Sequence, residues 1–271
     1  MRHVHVIGIG TGDPGHVTAQ AASAIAATDA FLVVDKGGDD GAGPDLEAVR
    51  RRILADHRPD GGYRWIAIAE VARDRTPGDY GGEVRSWHHQ RADRYEAALR
   101  DEVGEDETAA ILVWGDPSLY DSTLRILDDV AGRGTVAFTR TVIPGITSIS
   151  ALAAAHQIPL HRIGESMLTT TGRRLVAPDG WPAGIANAIV MLDADCSFRH
   201  LLDRPDPDGA DGPDGGDGIH IWWGAYVGSP DQLLVAGPLA DVADQIVRTR
   251  ADAVARHGWI MDIYLLRRPT T

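Results

Sequence analysis

The chain has 271 residues, 44% of them hydrophobic, with a formal net charge of −13 and one cysteine. That is enough apolar material for one large or two modest domains with proper cores, and it excludes an internal disulfide framework; no apolar run reaches the roughly 18 residues of a bilayer span. The acidity works against sequence-blind binding to nucleic acid or to an anionic membrane, which leaves a cytoplasmic enzyme acting on a small molecule as the expected class.

The opening MRHVHVIGIG holds a short apolar stretch that ends in a turn and lacks a small-residue cleavage site, so residues 4–9 read as a first strand rather than a leader. Alanine-rich 17–28 reads as a helix and 31–34 as a buried strand. A helix at 44–56, a strand at 65–69, a long amphipathic helix at about 83–103 and a strand at 109–114 continue the alternation, which implies a parallel sheet. A helix to Val130, a strand at 136–139 and a small-residue helix opened by Pro144 and Gly145 follow. The second half alternates less strictly, with strands at 166–171, 188–192, 219–226, 232–235 and 259–266 and helices at 198–202 and 239–256. Adjacent strands with few crossovers imply a mixed sheet. The expectation is two α/β domains, 1–160 with a mainly parallel sheet and 161–271 with a mixed one. Residues 203–218 carry almost no apolar side chain and read as a surface loop, and their aspartates lack the spacing and closing glutamate of a calcium loop.

Two Gly-Asp-Pro turns interrupt apolar strands, at 12–14 and 115–117, and in open α/β sheets the carboxyl ends of strands are where ligands bind. Gly8, Gly10 and Gly12 approach a dinucleotide fingerprint, but Asp13 stands where its last glycine belongs, and the glycines would equally serve a tight turn. A nicotinamide-dependent oxidoreductase would use Asp35 at the end of the second strand. In the later turn Pro117 suits the first position of a helix, Ser118 and Tyr120 supply hydroxyls, and Asp116 fits a turn or cap as well as a site. His3 and His5 share a strand face without a ligand partner at metal spacing, and His88 and His89 point to different helix faces, so no metal site is expected. Trp222 and Trp223 should flank a strand on both sides, and Cys196 reads as inert.

Four blocks in order, VIGIGTGDPGHVT, WGDPSLYDS, VIPGITSISALA and SPDQLLVAGPLADV, resemble the tetrapyrrole methylases, which use S-adenosylmethionine and include the precorrin methyltransferases of the cobalamin pathway. The likeness runs along nearly the whole chain, and WGDPSLYDSTLRI with SWHHQRADRYEAAL is similar to the branch that joins methyl transfer to removal of an acyl group. Thr11, Asp121 and the Gly237-Pro238-Leu239 run depart from the family's usual Pro, Gly and GTL. The resemblance implies a homodimer whose two α/β lobes hold S-adenosylmethionine in the cleft between them, without a metal. It implies cofactor contacts from Gly115, Asp116, Pro117, Thr147, Ser148, Met191, Leu192, Val227, Gly237, Pro238 and Leu239. Backbone groups would meet the polar atoms, while Met191, Leu192 and Val227 would wall a ring, although core packing explains such apolar residues equally well.

The implied tetrapyrrole substrate is a polycarboxylate. Gly10 and Thr11, with the guanidinium groups of Arg173 and Arg174 and, behind them, Arg91 and Arg94, are its expected contacts. For deacylation a water needs a base or polarising donor, and Asp13, Asp121 and Tyr120 come first, with Asp116 and His88 as further candidates. A methylase of another tetrapyrrole precursor, a nicotinamide-dependent oxidoreductase and a non-catalytic tetrapyrrole carrier stand as alternatives.

Overall fold

β1 (Arg2–Gly8), β2 (Ala30–Asp35), β3 (Arg64–Ala69), β4 (Thr108–Val113) and β5 (Phe138–Ile143) form one sheet in the order β3-β2-β4-β1-β5, every neighbouring pair parallel. β4 is buried from Ala109 onward, as a central strand covered on both faces must be, whereas β3 alternates at the edge. These elements belong to a computed structural model that describes residues 1–35, 46–71, 80–202 and 218–269. Of the expected loop at 203–218 all but Gly218 lies outside the described residues, as does the Asp35 side chain.

β1 and β4 lie side by side, yet the chain leaves β1 toward β2 and β4 toward β5, in opposite directions. Right-handed crossovers then put α1 (Ala19–Ala26) and α2 (Leu46–His57) on one face and α3 (Tyr80–Asp101) and α4 (Thr123–Arg133) on the other. Ala21 and Ile25 of α1 and Ile53 and Leu54 of α2 pack with Ile7, Phe31 and Leu112. Tyr95 and Leu99 of α3 and Ile126, Leu127 and Val130 of α4 pack with Val4, Val6 and Ile111. Local signals agree with this packing. Thr18 Oγ1 accepts the Ala21 N–H at 3.1 Å to start α1, and Gly134, at φ 68°, ends α4 where a Cβ would be strained.

The second unit is built from β6 (Met167–Thr171), β7 (Asn187–Met191), β8 (His220–Ala225), β9 (Leu233–Pro238) and β10 (Asp262–Arg267), in the order β6-β7-β10-β8-β9. β6 and β7 are parallel and the other pairs antiparallel. α5 (Ser148–His156) lies on β8 and β10, with Leu152 filling the space beside Gly224. α7 (Leu239–His257) and the one-turn α6 (Gly172–Leu175), which sequence reading did not anticipate, share a core with Val190, Trp223 and Tyr264. Trp222, on the face away from that core, is half-buried against His220 and Arg267.

Because α5 packs on this second sheet, the division between the two units falls between Thr147 and Ser148, before that helix rather than after it near residue 160. The helix read at 198–202 is a 3-10 turn, Ser197–Leu201, whose first N–H is held by Asp193.

Candidate active site at the strand ends

The carboxyl ends of β1, β4 and β5 meet at three glycines. A Cβ on Gly8 would lie 2.5 Å from the Gly145 nitrogen, and one on Gly145 would lie 2.1 Å from the Gly115 carbonyl oxygen. Only bare backbones approach so closely. Gly10 and Gly115 also bridge directly, N–H to O at 3.2 Å one way and 2.7 Å the other, which ties the two Gly-Asp-Pro turns together at one sheet edge. Gly115 itself, at φ 67°, is open: within 4 Å a Cβ there would find only the Ile146 carbonyl oxygen, at 3.9 Å. This is the strand-end position, next to the reversal of chain direction between β1 and β4, at which open α/β sheets take ligands.

Asp116 follows and is 8% exposed. Its Oδ1 accepts the Ser118 N–H at 2.8 Å and the Ser118 hydroxyl, and its Oδ2 accepts the Gly145 N–H at 2.9 Å. Burial alone would raise its pKa, but the hydrogen bonds from Ser118 and Gly145 outweigh it and hold the carboxyl below its ordinary range. With both oxygens engaged, Asp116 is a brace between the turns after β4 and β5 rather than a base. The same turns carry two corrections. The helix expected from Pro117 begins at Thr123, since 116–119 form a turn closed by Leu119 N–H on Asp116 O at 3.2 Å. The helix expected from Pro144 begins at Ser148, and residues 144–147 are an irregular loop whose Gly145 N–H is held by Asp116.

Asp13 and Asp121 each commit one oxygen to a turn, Asp13 Oδ1 to the Gly15 N–H and Asp121 Oδ1 to the Thr123 N–H, both at 2.7 Å. The Asp121 charge also acts on buried Tyr95 and on Arg50, whose Nε donates to the Leu112 carbonyl at 3.3 Å. Sequence reading passed over Arg50, because within LEAVRRRILADH nothing distinguishes it from its exposed neighbours. Tyr120 holds φ 52°, is 46% exposed, and has its hydroxyl pKa raised by partial burial. Thr11 is buried with Oγ1 3.1 Å from His16 Nδ1, and a Cβ on Gly10 would meet His16, so this pair shapes the first turn. On α3, the Trp87 ring is flanked by His88 and, at 4.8 Å, by the Arg91 guanidinium, while Arg94 is exposed.

In the second unit β6, β7 and β8 run the same way, so their carboxyl ends share an edge with the starts of β9 and β10. Arg173, Arg174, Met191, Leu192 and Val227 lie along that edge. Gly237 and Pro238 do not: they pair with Ile221 and His220 at the far end of β8, roughly 17 Å away at about 3.4 Å per residue, and the Leu239 N–H donates to Ile219 O there. Val227 is buried and Met191 half-buried, whereas Leu192 is 67% exposed at φ 53°. Arg173 and Arg174 are exposed, and Arg174 pairs with Asp179 at 2.6 Å.

Behind this edge lie two carboxylates that no motif announces, the buried Asp193 and the largely buried Asp262. Burial raises the Asp262 pKa although Arg250 and Trp223 donate to it at 3.1 and 3.0 Å. Among the described residues no cluster of three His, Cys, Asp or Glu could hold a metal, and no helix is long and apolar enough to cross a membrane.

The chain is 44% identical over 269 residues to a protein of Sinorhizobium sp. named precorrin-6A synthase [deacetylating], covering 99% of this chain and 96% of that one. Its structure is similar to the crystal structure of a cobalamin synthesis related protein (CobF) from Corynebacterium diphtheriae, with a TM-score of 0.80, 35% identity and 100% of both chains covered. The fold is shared with uroporphyrin-III C-methyl transferase from Thermus thermophilus complexed with S-adenyl homocysteine, at a TM-score of 0.55 and 16% identity over 98% of this chain and 97% of that one. The family pattern of the Tetrapyrrole (Corrin/Porphyrin) Methylases matches residues 3–243, and the chain belongs to that family.

Proposed function

We propose that the protein is an S-adenosylmethionine-dependent C-methyltransferase of cobalamin biosynthesis that methylates carbon 1 of precorrin-5, with loss of acetate, to give precorrin-6A. The observation that carries this reading is the 44% identity, sustained over 99% of the chain, to a protein named precorrin-6A synthase [deacetylating]. S-adenosylmethionine supplies, when bound, a methyl group on a sulfonium that leaves without help from a base. The protein's task is then chiefly alignment, which can contribute on the order of 7 to 11 kcal/mol.

On the first unit the residues assigned to the cofactor are Gly115, Asp116 and Pro117, acting through backbone, with Thr147 and Ser148. The room beside Gly115 supports this, because a ligand can approach the main chain where a side chain would block it. On the second unit they are Leu192, Met191 and Val227. Gly237, Pro238 and Leu239 leave the set, since they stand a strand length from Leu192. Arg173 and Arg174 are assigned to substrate carboxylates, Arg174 exchanging Asp179 for a carboxylate of the macrocycle.

Deacylation requires water to add to the acetyl carbonyl. The carbon–carbon bond then breaks, acetate departs, and the electron pair stays with the macrocycle. Asp13 and Asp121, whose Oδ1 atoms are committed to turns, would use the other oxygen as the base, and the Tyr120 hydroxyl would polarise the carbonyl. We assign the enzyme to the cytoplasm, as a homodimer that needs no metal.

The test is turnover of precorrin-5 with methyl-labelled S-adenosylmethionine. The expected result is a product carrying one labelled methyl, with one acetate released. A methylated product that keeps its acetyl group would move the assignment to another tetrapyrrole methylation, and calorimetric binding of NADPH without S-adenosylhomocysteine would replace it with the oxidoreductase. Light scattering reads the dimer directly.

A further inference from the structure

Leu192 is an exposed leucine at the end of β7 with a backbone that L residues rarely adopt, and Cys196, four residues on, holds φ 53° as well. Such conformations persist only where the surroundings over-determine them. Here the surroundings are Asp193, 5% exposed. Its Oδ1 accepts the Ser197 hydroxyl at 2.8 Å and the Asp195 N–H at 3.2 Å, and its Oδ2 accepts the Tyr264 hydroxyl at 2.6 Å and the Ser197 N–H at 2.7 Å. All four partners are donors, which matches a group that accepts on both oxygens. The Asp193 carbonyl accepts in turn from Arg250 Nη2 at 3.3 Å, and Arg250 is itself held by Asp262. On the opposite side Gly172 leaves no slack, since a Cβ there would lie 2.3 Å from the Asp193 carboxyl carbon.

We infer that Asp193 is a positioning residue: clamped between Gly172, Ser197 and Tyr264, it fixes Leu192 as a rigid apolar ledge for the cofactor, an inference that rests on the cofactor assignment above. The strain at Leu192 and the four hydrogen bonds behind it, three of them buried, have one outward result, a side chain held out from the sheet edge where nothing in this unit's core needs it. A ledge already held in place spares a ligand the cost of ordering it.

The experiment is calorimetric titration of S-adenosylhomocysteine into wild-type protein and three variants. Asp193→Asn turns an amide NH2 toward donors; Gly172→Ala pushes on the loop from the other side with every hydrogen-bonding group intact; Tyr264→Phe removes one donor only. We expect the first two to weaken binding about tenfold and the third about threefold, with stoichiometry unchanged. At saturating cofactor the first two should recover kcat while KM for the cofactor stays raised. A merely structural role would instead lower the stoichiometry, through unfolded protein, and leave Kd as it was. That outcome, or wild-type affinity in all three variants, overturns the inference while the functional reading stands. If wild-type protein itself binds no S-adenosylhomocysteine, the functional reading falls and takes the inference with it.

Discussion

The two units shape their strand-end edges by different means. In the first, the edge is made of backbone: Gly8 and Gly145 approach the neighbouring strand ends within distances that admit no Cβ, and the side chain that braces them, Asp116, is spent on main-chain donors and the Ser118 hydroxyl. In the second, side chains build the edge, with the buried Asp193 and the largely buried Asp262 receiving bonds from Ser197, Tyr264, Trp223 and Arg250. Backbone contact of the first kind fails on addition of a single atom. A side-chain network of the second kind can be weakened by degrees, and it titrates.

The largest expected effect breaks the first edge. Gly145→Ala places a methyl 2.1 Å from the Gly115 carbonyl and should cost at least about 3 kcal/mol, read as a shift in the urea midpoint. Gly115→Ala meets no clash and should cost only about 1 kcal/mol for its positive φ, yet it should abolish S-adenosylhomocysteine binding by filling the open side of the turn. Equal costs for the two variants would remove the close-approach account.

Acid titration sharpens the contrast, because the two edges carry carboxyl groups shifted in opposite directions. Asp116 is held below its ordinary range, so the stability it contributes is present above about pH 4 and is lost as pH falls through its lower folded value. Asp262 is held above that range by burial, so its contribution is full below about pH 4 and is lost as pH rises through its higher folded value. Measured as unfolding midpoint against pH, Asp116→Asn should flatten the limb below about pH 4 and Asp262→Asn the limb above it. Changes of the same sign would contradict the assignment of the two environments.

Side-chain networks also occur in the first unit, but away from its edge. Arg133 of α4, with 18% of its side chain exposed, reaches Asp93 at 2.6 Å and Glu96 at 2.8 Å on α3 and Asp129 at 3.0 Å on its own helix. Arg133→Ala should therefore cost about 2 kcal/mol in stability and leave the affinity for S-adenosylhomocysteine unchanged. A loss of affinity would show that the helices, and not the glycine contacts alone, hold the edge in shape.

The same division explains what could be read in the sequence. Apolar runs and their spacing located most strands of the described residues, although β5, expected at 136–139, runs Phe138–Ile143, and the Gly-Asp-Pro turns stood out because each is a local signal of three residues. The close approach of Gly145 was hidden: a Pro-Gly pair before a small-residue run fits a helix start as well as a loop, and only the neighbouring strand end decides. That Gly237 to Leu239 stand at the opposite edge from Leu192 was hidden too, because β9 runs antiparallel to β8, a direction that strand pattern does not encode. Asp193 was passed over for a related reason, since its partner Tyr264 lies 71 residues further on.

The smallest predicted effect probes the second edge directly. Cys196 sits in the loop that Asp193 clamps, 9% exposed, and burial, its largest influence, raises the pKa of the thiol. Both features suppress the thiolate that reacts. Alkylation of native protein at neutral pH should thus run about a hundredfold slower than that of an unfolded chain and should be governed by local opening of residues 192–197. Gly172→Ala, which crowds Asp193 without touching the cysteine, should raise this rate several-fold more than its global destabilisation alone accounts for. If the rate rises only in proportion to global unfolding, the loop has no local equilibrium of its own, and the second edge is as rigid as the glycine-built edge of the first.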